Sequence, residues 1–144
     1  MMIRLLPNQI PEYWEIIKFT IANVDDYDKE NLPAYLNGIL HNLLSDKQQC
    51  FFRLDSETRK IFTVVITRLA EDPISAKKTF FMDSAYSFRP ADLKKREMER
   101  DFLREFAINQ GCSSIIFKSP HRLAWDLGLS VGFKEIHRTF MYAL

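Results

Sequence analysis

The order in which the apolar pattern of this chain changes between strand and helix periods is the feature that most constrains its fold. The apolar run from Met2 to Leu6 predicts a short strand. Apolar residues then recur at alternating four- and three-residue steps from Ile10 to Val24, and a similar pattern follows from Leu32 to Leu43. The chain is therefore expected to open with a strand and two helices, each with one face to bury.

The middle of the chain changes to the β-branched and aromatic pattern that is typical of strands. Cys50–Leu54, Ile61–Thr67 and Lys78–Phe88 each show it, with polar turns between them. These segments predict three consecutive antiparallel strands. A helical period returns at Asp92 and runs to Gly111, a residue suited to a helix C-terminus.

The last part of the chain predicts a strand, a helix and a final strand. Ser113–Lys118 is a continuous apolar run, as expected of a strand buried between neighbours, and it should lie parallel to Thr79–Phe88. His121–Val131 has a helical pattern, and Lys134–Leu144 carries apolar residues mostly on one strand face. The whole order predicts a mixed sheet with helices on both faces, in one domain that spans residues 1–144.

Ala124, Leu127, Val131 and Gly132-Phe133 have a spacing that resembles the fourth-helix segment of the GNAT N-acetyltransferase superfamily. The predicted element order is similar to the GNAT order along nearly the whole chain, and the specific sequence match covers about residues 80–133. The short chain more narrowly resembles the divergent GNAT-like proteins encoded by bacteriophages. The resemblance implies an α/β (α+β) GNAT-like acyl-CoA N-acyltransferase fold, with a V-splayed mixed sheet.

Charge and composition indicate which classes of partner and which cellular compartment to expect for this chain. A formal charge of +1 provides no broad electrostatic field for nucleic acid or a membrane surface. No apolar run approaches the roughly 20 residues that span a bilayer, so neither an anchor nor a secretion signal is expected. Cys50 and Cys112 could form one disulfide, but two reduced thiols fit an intracellular protein better. A cytoplasmic protein is expected, or a virion protein if the chain is phage-encoded.

GNAT enzymes bind acetyl-CoA, and the helix after the fourth strand receives its pyrophosphate. Phe88-Arg-Pro90 resembles the Val-x-Pro that closes that strand, but no glycine lies between Gly38 and Gly111, so the family's glycine loop is absent. Cationic side chains at the helix start offer a partial substitute for the loop in holding the cofactor, although a solvated helix surface is the favoured interpretation of these cations. The cofactor-binding candidates are Phe88, Arg89, Lys94, Lys95 and Arg96. The same cations are also typical of an exposed, solvated helix surface.

The family commonly uses a tyrosine on the last helix to protonate the leaving thiolate, and here that position holds Gly128. Tyr86 and His121 are therefore the catalytic candidates, with Tyr142 as a further tyrosine. Strand packing is the favoured interpretation of both tyrosines, and helix capping is the favoured interpretation of His121. No Cys/His cluster, Ser/His/Asp series or paired-carboxylate spacing predicts another enzyme class or a metal site.

An acidic run lies where the acceptor amine enters in the family, and it could attract a cationic amine. Its members are Asp25, Asp26, Asp28 and Glu30. Local capping and turn formation explain the same residues and are the favoured interpretation.

The chain ends early compared with the family. Only Lys134–Leu144 follows Gly132-Phe133, which is enough for one strand where the family usually has two. The uncovered edge of that strand predicts a homodimer whose interface includes His137–Tyr142.

Two functions follow from the resemblance. The first is an acyl-CoA-dependent N-acetyltransferase, active or weakened, that acts on an unidentified amine. The second is a non-catalytic GNAT-fold binding or structural protein, which the missing glycine loop and Gly128 favour. The retained element order and the cationic helix start favour the first.

Overall fold

The computed structural model describes residues 1–25 and 29–144. The strands are β1 Met2–Leu5, β2 Gln48–Leu54, β3 Ile61–Glu71, β4 Lys78–Ser87 and β5 Cys112–Phe117. The α-helices are α1 Trp14–Val24, α2 Leu32–Leu44, α3 Leu93–Asn109 and α4 Arg122–Ser130. Short 3-10 helices, Pro7–Tyr13 and Lys29–Asn31, precede α1 and α2. The predicted order of elements is therefore present up to the end of α4.

The strands form one sheet in the order β1-β2-β3-β4-β5. The first four strands pair antiparallel with their neighbours in sequence. β4 and β5 pair parallel, with Lys78 opposite Cys112 and Met82 opposite Phe117. α3 connects this pair, because parallel strands need a long crossover between them. The prediction that these two segments are adjacent parallel strands is confirmed.

Helices cover both faces of the sheet. On one face α1 and α2 pack against β2 and β3 through an apolar cluster. Its buried members are Leu5, Ile10, Ile17, Ile21, Ile39, Leu43, Cys50, Phe52, Val64 and Ile66. On the other face α3 contributes to a second cluster, whose buried members are Phe51, Val65, Phe80, Leu103 and Ala107. The predicted mixed sheet with helices on both faces is confirmed.

The first α-helix begins later than its apolar pattern predicts. Pro7–Tyr13 form a 3-10 helix, and α1 begins at Trp14. Pro11 has no N–H to donate and its ring obstructs the preceding turn, so regular α-helical bonding is not possible across it. Ile10 nevertheless remains buried beneath the two helices.

The predicted final strand, Lys134–Leu144, is wrong. Residues 133–144 form neither strand nor helix, and Phe140 and Tyr142 are 91% and 89% exposed. The apolar pattern is present, but a strand needs a partner for its backbone hydrogen bonds, and this segment has none in the structure. β5 is consequently at the edge of the sheet, whereas its sequence predicts a strand buried between neighbours.

Within residues 1–25 and 29–144, every helix is too short or too polar to span a lipid bilayer.

Candidate active site at the β4 bulge

The pairing of β4 with β5 ends next to a bulge in the middle of β4. Two adjacent residues of β3 lie opposite Met82 and Ser84, so Asp83 is an extra residue without a partner in the register. The pairing of β4 with β5 ends at the same point, where Met82 lies opposite Phe117. Beyond this point β4 continues without β5 beside it, because β5 ends at Phe117.

Polar side chains from five elements or their ends meet at this bulge, and we call them the bulge cluster: Asp25, Tyr35, Gln48, Arg68, Asp83 and Ser84. Asp25, at the end of α1, accepts hydrogen bonds from the hydroxyl groups of Ser84 and Tyr35, the latter at 2.5 Å. The local-capping interpretation is therefore wrong for the side chain of Asp25, which instead reaches across to β4. Asp26 and Asp28 of the same acidic run lie outside the described residues.

Asp83 is the second carboxylate of the bulge cluster. It accepts one hydrogen bond from Arg68 Nε and one from Gln48 Nε2, each at 3.0 Å. Gln48 is held in turn by Asn42 of α2, whose Nδ2 donates to Gln48 Oε1 at 3.2 Å. The Arg68 guanidinium also lies 4.1 Å from the ring centroid of Phe81. The position of Asp83 is therefore fixed by contacts from two other strands and a helix.

Burial raises the pKa of both carboxyl groups above the ordinary value of 3.8. For Asp25, the hydrogen bonds from Ser84 and Tyr35 oppose this effect, and the nearby charge of Asp83 adds to it. For Asp83, the charge of Arg68 opposes burial but does not cancel it. A carboxylate with a raised pKa is a better proton acceptor than an exposed one.

We expect Asp25→Asn to raise the free energy of unfolding at neutral pH. The pKa of Asp25 is higher in the folded protein than its ordinary value of 3.8, so ionisation opposes folding. This cost is fully present above the raised pKa and absent below 3.8. The variant removes it, so its gain in stability should be complete above the raised pKa and absent below 3.8. Urea unfolding near neutral pH and in acid measures the difference.

The Asp101→Asn variant is the matched control for this experiment, since Asp101 is an exposed residue of α3 that pairs with its neighbour Arg100. It should change stability little at either pH. A loss of stability in Asp25→Asn at neutral pH would show that the hydrogen bonds from Ser84 and Tyr35 outweigh burial, contrary to the expectation.

The structure places Tyr86 and Phe88 in an aromatic group beyond the bulge, on the face covered by α1. The Tyr86 ring lies 5.5 Å from that of Phe19 and 5.0 Å from that of Phe88, both edge-on. Phe19 and Phe88 stack at 5.6 Å. Tyr86 therefore has the packing role that its strand position predicts, and it lies on the same strand as Asp83.

The first turn of α3, where the cofactor's pyrophosphate is expected, is capped by the chain itself. Asp92 is the N-cap, and its carboxylate accepts a hydrogen bond from the Lys95 backbone N–H at 2.8 Å. Arg96 turns back, and its Nη1 donates to the Ala91 carbonyl at 2.7 Å. A carboxylate in this position competes with an anionic ligand for the N–H groups of the helix start.

Two of the predicted cofactor-binding cations approach one cavity beside α3. Its volume is about 340 Å³, and Lys95, Phe62, Met98 and Glu99 are among its lining residues. The Arg89 guanidinium lies 5.0 Å from the ring centroid of Phe62. Lys94 is exposed on the surface of the helix. Lys95 thus lines the cavity and Arg89 lies over one ring of its lining, whereas Arg96 is directed into the loop before the helix.

His121 and Gly128 lie at the two ends of α4. His121 is the N-cap residue, is exposed, and makes no side-chain capping bond. A Cβ atom at Gly128 would lie only 2.5 Å from Cζ of Phe117, whose ring also packs edge-on against Phe133 at 5.1 Å. The ring of Phe117 therefore occupies the space next to position 128, and glycine lets α4 approach β5.

Sequence reasoning misses Asp83, Ser84 and Arg68 as site residues. The one sequence feature that could have indicated them is that Asp83-Ser84 interrupts an apolar run. The exposed face of an ordinary strand produces the same pattern. The bulge that brings both side chains toward α1 depends on the pairing register of β3 and β4, which composition does not reveal.

No protein-family model matches this sequence, and no curated protein matches it. Solved acetyltransferase structures nevertheless match the fold over almost the full length. A ribosomal-protein-alanine N-acetyltransferase from Brucella melitensis biovar Abortus 2308 is 12% identical, with a TM-score of 0.70 over 100% of this chain and 99% of that chain. A predicted acetyltransferase with acetyl-CoA from Clostridium acetobutylicum is 12% identical, with a TM-score of 0.71 over 99% and 96% of the two chains.

An aminoglycoside acetyltransferase from an uncultured soil metagenomic sample, in complex with sisomicin, is 18% identical to this chain. Its TM-score is 0.71, over 100% of this chain and 95% of that chain. The chain therefore has the GNAT acetyltransferase fold that its sequence predicts. At these identities the likeness establishes the fold alone.

Proposed function

We propose that this protein is an acyl-CoA-dependent N-acetyltransferase that acts on an amine. The observation that carries this proposal is the pair of partly buried carboxylates, Asp25 and Asp83, beside the point where the pairing of β4 with β5 ends. The similar solved structures include an acetyltransferase with acetyl-CoA and an aminoglycoside acetyltransferase with sisomicin. They support the same class of reaction for this chain.

The bulge cluster has the properties that the acceptor amine needs. An aliphatic amine is protonated at neutral pH, and it must lose a proton before its nitrogen can attack a carbonyl carbon. The two carboxylates attract the ammonium ion, and Asp83 accepts its proton. Bound acetyl-CoA would supply the acetyl thioester, so that a nitrogen–carbon bond forms and the carbon–sulfur bond breaks. Tyr86 and His121 are the candidate donors of the proton that the leaving thiolate takes.

Calorimetric titration with acetyl-CoA, followed by an acetylation assay against a panel of primary amines, tests this function. Saturable binding and a mass increase of one acetyl group on an amine are the expected results. Binding without transfer to any amine would favour a binding protein. Absence of acetyl-CoA binding would overturn the acetyltransferase proposal.

We propose that Arg89, Lys94, Lys95 and Arg96 hold the pyrophosphate beside Phe88, through side-chain charge. Replacing Lys94, Lys95 and Arg96 together by alanine should weaken acetyl-CoA binding at least about tenfold, or about 1.4 kcal/mol. Lys95→Ala alone should cost more affinity than Arg96→Ala, because Arg96 already bonds to the Ala91 carbonyl. Titration calorimetry measures each affinity.

Arg104→Ala is the matched control, since this exposed arginine lies farther along the same helix and pairs with Glu105. It should leave acetyl-CoA affinity unchanged. An unchanged affinity in the triple variant would remove these cations from the cofactor site.

The second candidate is a non-catalytic GNAT-fold binding or structural protein, of the kind that the phage-like resemblance implies. Two observations favour it. The Asp92 carboxylate already caps the helix start that would receive phosphates, and Phe117 fills the space beside Gly128. The titration with acetyl-CoA and the acetylation assay together separate the two candidates, because a non-catalytic protein transfers no acetyl group to any amine.

We further propose that residues 1–144 form one domain that acts in the cytoplasm, and that it associates as a homodimer. The charge of +1 supports the exclusion of nucleic acid as a partner. The exposed apolar residues within His137–Tyr142 support a contact between two copies.

A further inference from the structure

The outer edge of β5 is an open site for strand pairing. β5 is last in the order of the sheet and pairs only with β4 in the part of the chain that the structure describes. Its six residues, Cys112–Phe117, include no charged residue and no proline. Natural edge strands usually carry such residues, because unprotected edges pair with other chains. This edge therefore lacks the usual protection.

A second strand-like segment in the same chain also lacks a partner. We call residues 134–144 the tail. Ile136, Phe140, Tyr142 and Leu144 would lie on one face of a strand, with Arg138 between the first two, and all four are exposed. Large exposed apolar patches mark protein–protein contact surfaces.

A groove between β5 and α3 lies beside the open edge. Its volume is about 360 Å³, and Ile108, Cys112 and Ile115 are among the residues that line it. Arg104 lies at its border with solvent. The apolar part of this lining matches the apolar side chains of the tail, and Ser113 and Ser114 line the rest with Arg104.

The tail starts close to the end of β5. The rings of Phe117 and Phe133 lie 5.1 Å apart, so the tail leaves the fold beside the last residue of β5. The tail is longer than β5, so it is long enough to pair antiparallel along the whole edge of β5. The structure nevertheless leaves both the edge and the tail of one chain open. Each is therefore available to a second copy.

We propose that two copies of this chain exchange tails, so that the tail of each copy pairs antiparallel with the β5 edge of the other. The proposal rests on the homodimer proposed above and identifies its contact surface. Reciprocal exchange covers both open edges and both tails in one two-fold arrangement, which is the commonest symmetry of soluble oligomers. The apolar face of each tail then fills the groove beside the partner's α3.

Cys112 provides a natural reporter for this contact. It is a free thiol at the start of β5, and the other free thiol, Cys50, is fully buried. If Lys134 lies opposite Phe117 in an antiparallel pair, Thr139 lies opposite Cys112. We expect mild oxidation of the full-length Thr139→Cys variant to give a covalent dimer on a non-reducing gel. His137→Cys and Met141→Cys test the neighbouring registers.

Cys112→Ser combined with Thr139→Cys is the control, and it should give no cross-link through β5. A disulfide between these positions within one chain would overturn exchange and show that the tail pairs with its own β5. A monomeric mass by light scattering throughout the micromolar range would overturn both the exchange and the homodimer. A dimer in which none of the three positions cross-links to Cys112 would overturn only the β5 edge as the contact. None of these outcomes depends on acetyl transfer.

Discussion

Asp83→Asn is expected to lower kcat for amine acetylation by about 10²- to 10⁴-fold, the range that a positioned general base contributes. The asparagine amide has the shape of the carboxylate, and its oxygen can still accept the hydrogen bond that Arg68 Nε makes at 3.0 Å. It cannot accept a proton from the acceptor ammonium. Burial opposes the negative charge of Asp83, so removing that charge in Asp83→Asn should not lower the free energy of unfolding.

Steady-state kinetics at saturating acetyl-CoA, with the cofactor affinity measured separately, tests this prediction. Acetyl-CoA affinity should stay unchanged, so the loss should appear in kcat. Asp126→Asn, an exposed carboxylate on α4, is the matched control and should retain full activity. In the native protein, kcat/KM should rise with pH through the raised pKa of Asp83, and this rise should be absent in Asp83→Asn. Equal rates in both proteins would assign proton removal to another group.

The elements of this fold could be predicted where the apolar period was long and each segment had a partner. β2, β3 and β4 satisfy both conditions, because each pairs with a strand on either side. Lys134–Leu144 shows the limit of such a prediction, since its pattern is as strand-like but nothing pairs with it. Sequence periodicity reports which face a segment would bury, while strand formation also requires backbone partners from elsewhere in the chain.

The candidate site was less predictable because its geometry depends on long-range register. Asp25 and Ser84 are 59 residues apart, and their contact exists only because α1 packs beside the β4 bulge. The helix-start cations could be predicted from composition, but the direction of each side chain could not. Asp92 is a residue type favoured at an N-cap, so its capping role was readable from sequence, although its competition with phosphate depends on the fold.

Arg53→Ala is expected to lower the free energy of unfolding by about 3–5 kcal/mol, the range for removing one partner of a buried ion pair. Arg53 lies in β2 with only 7% of its side chain exposed, and its Nε pairs with the Glu99 carboxylate of α3. Burial raises the pKa of Glu99 above 4.5 even with Arg53 present. Without Arg53, the ionised Glu99 would lose its strongest compensating charge and keep only the weaker effects of the N-terminal amino group and Arg96. The destabilisation should be greatest above the raised pKa and smallest below 4.5.

Urea unfolding of Arg53→Ala, Glu99→Leu and the double variant Arg53→Met with Glu99→Leu measures this effect. The double variant should recover most of the lost stability, because apolar residues of similar volume avoid the cost of burying two charges. Arg53 Nη2 also donates to the Arg89 carbonyl at 3.1 Å and so positions the loop before α3. Every variant that lacks Arg53, including the double variant, should therefore bind acetyl-CoA more weakly than the native protein. A double variant as unstable as Arg53→Ala would show that the stability depends on the hydrogen bonds of Arg53, including the one to Thr63, and not on its charge pairing with Glu99.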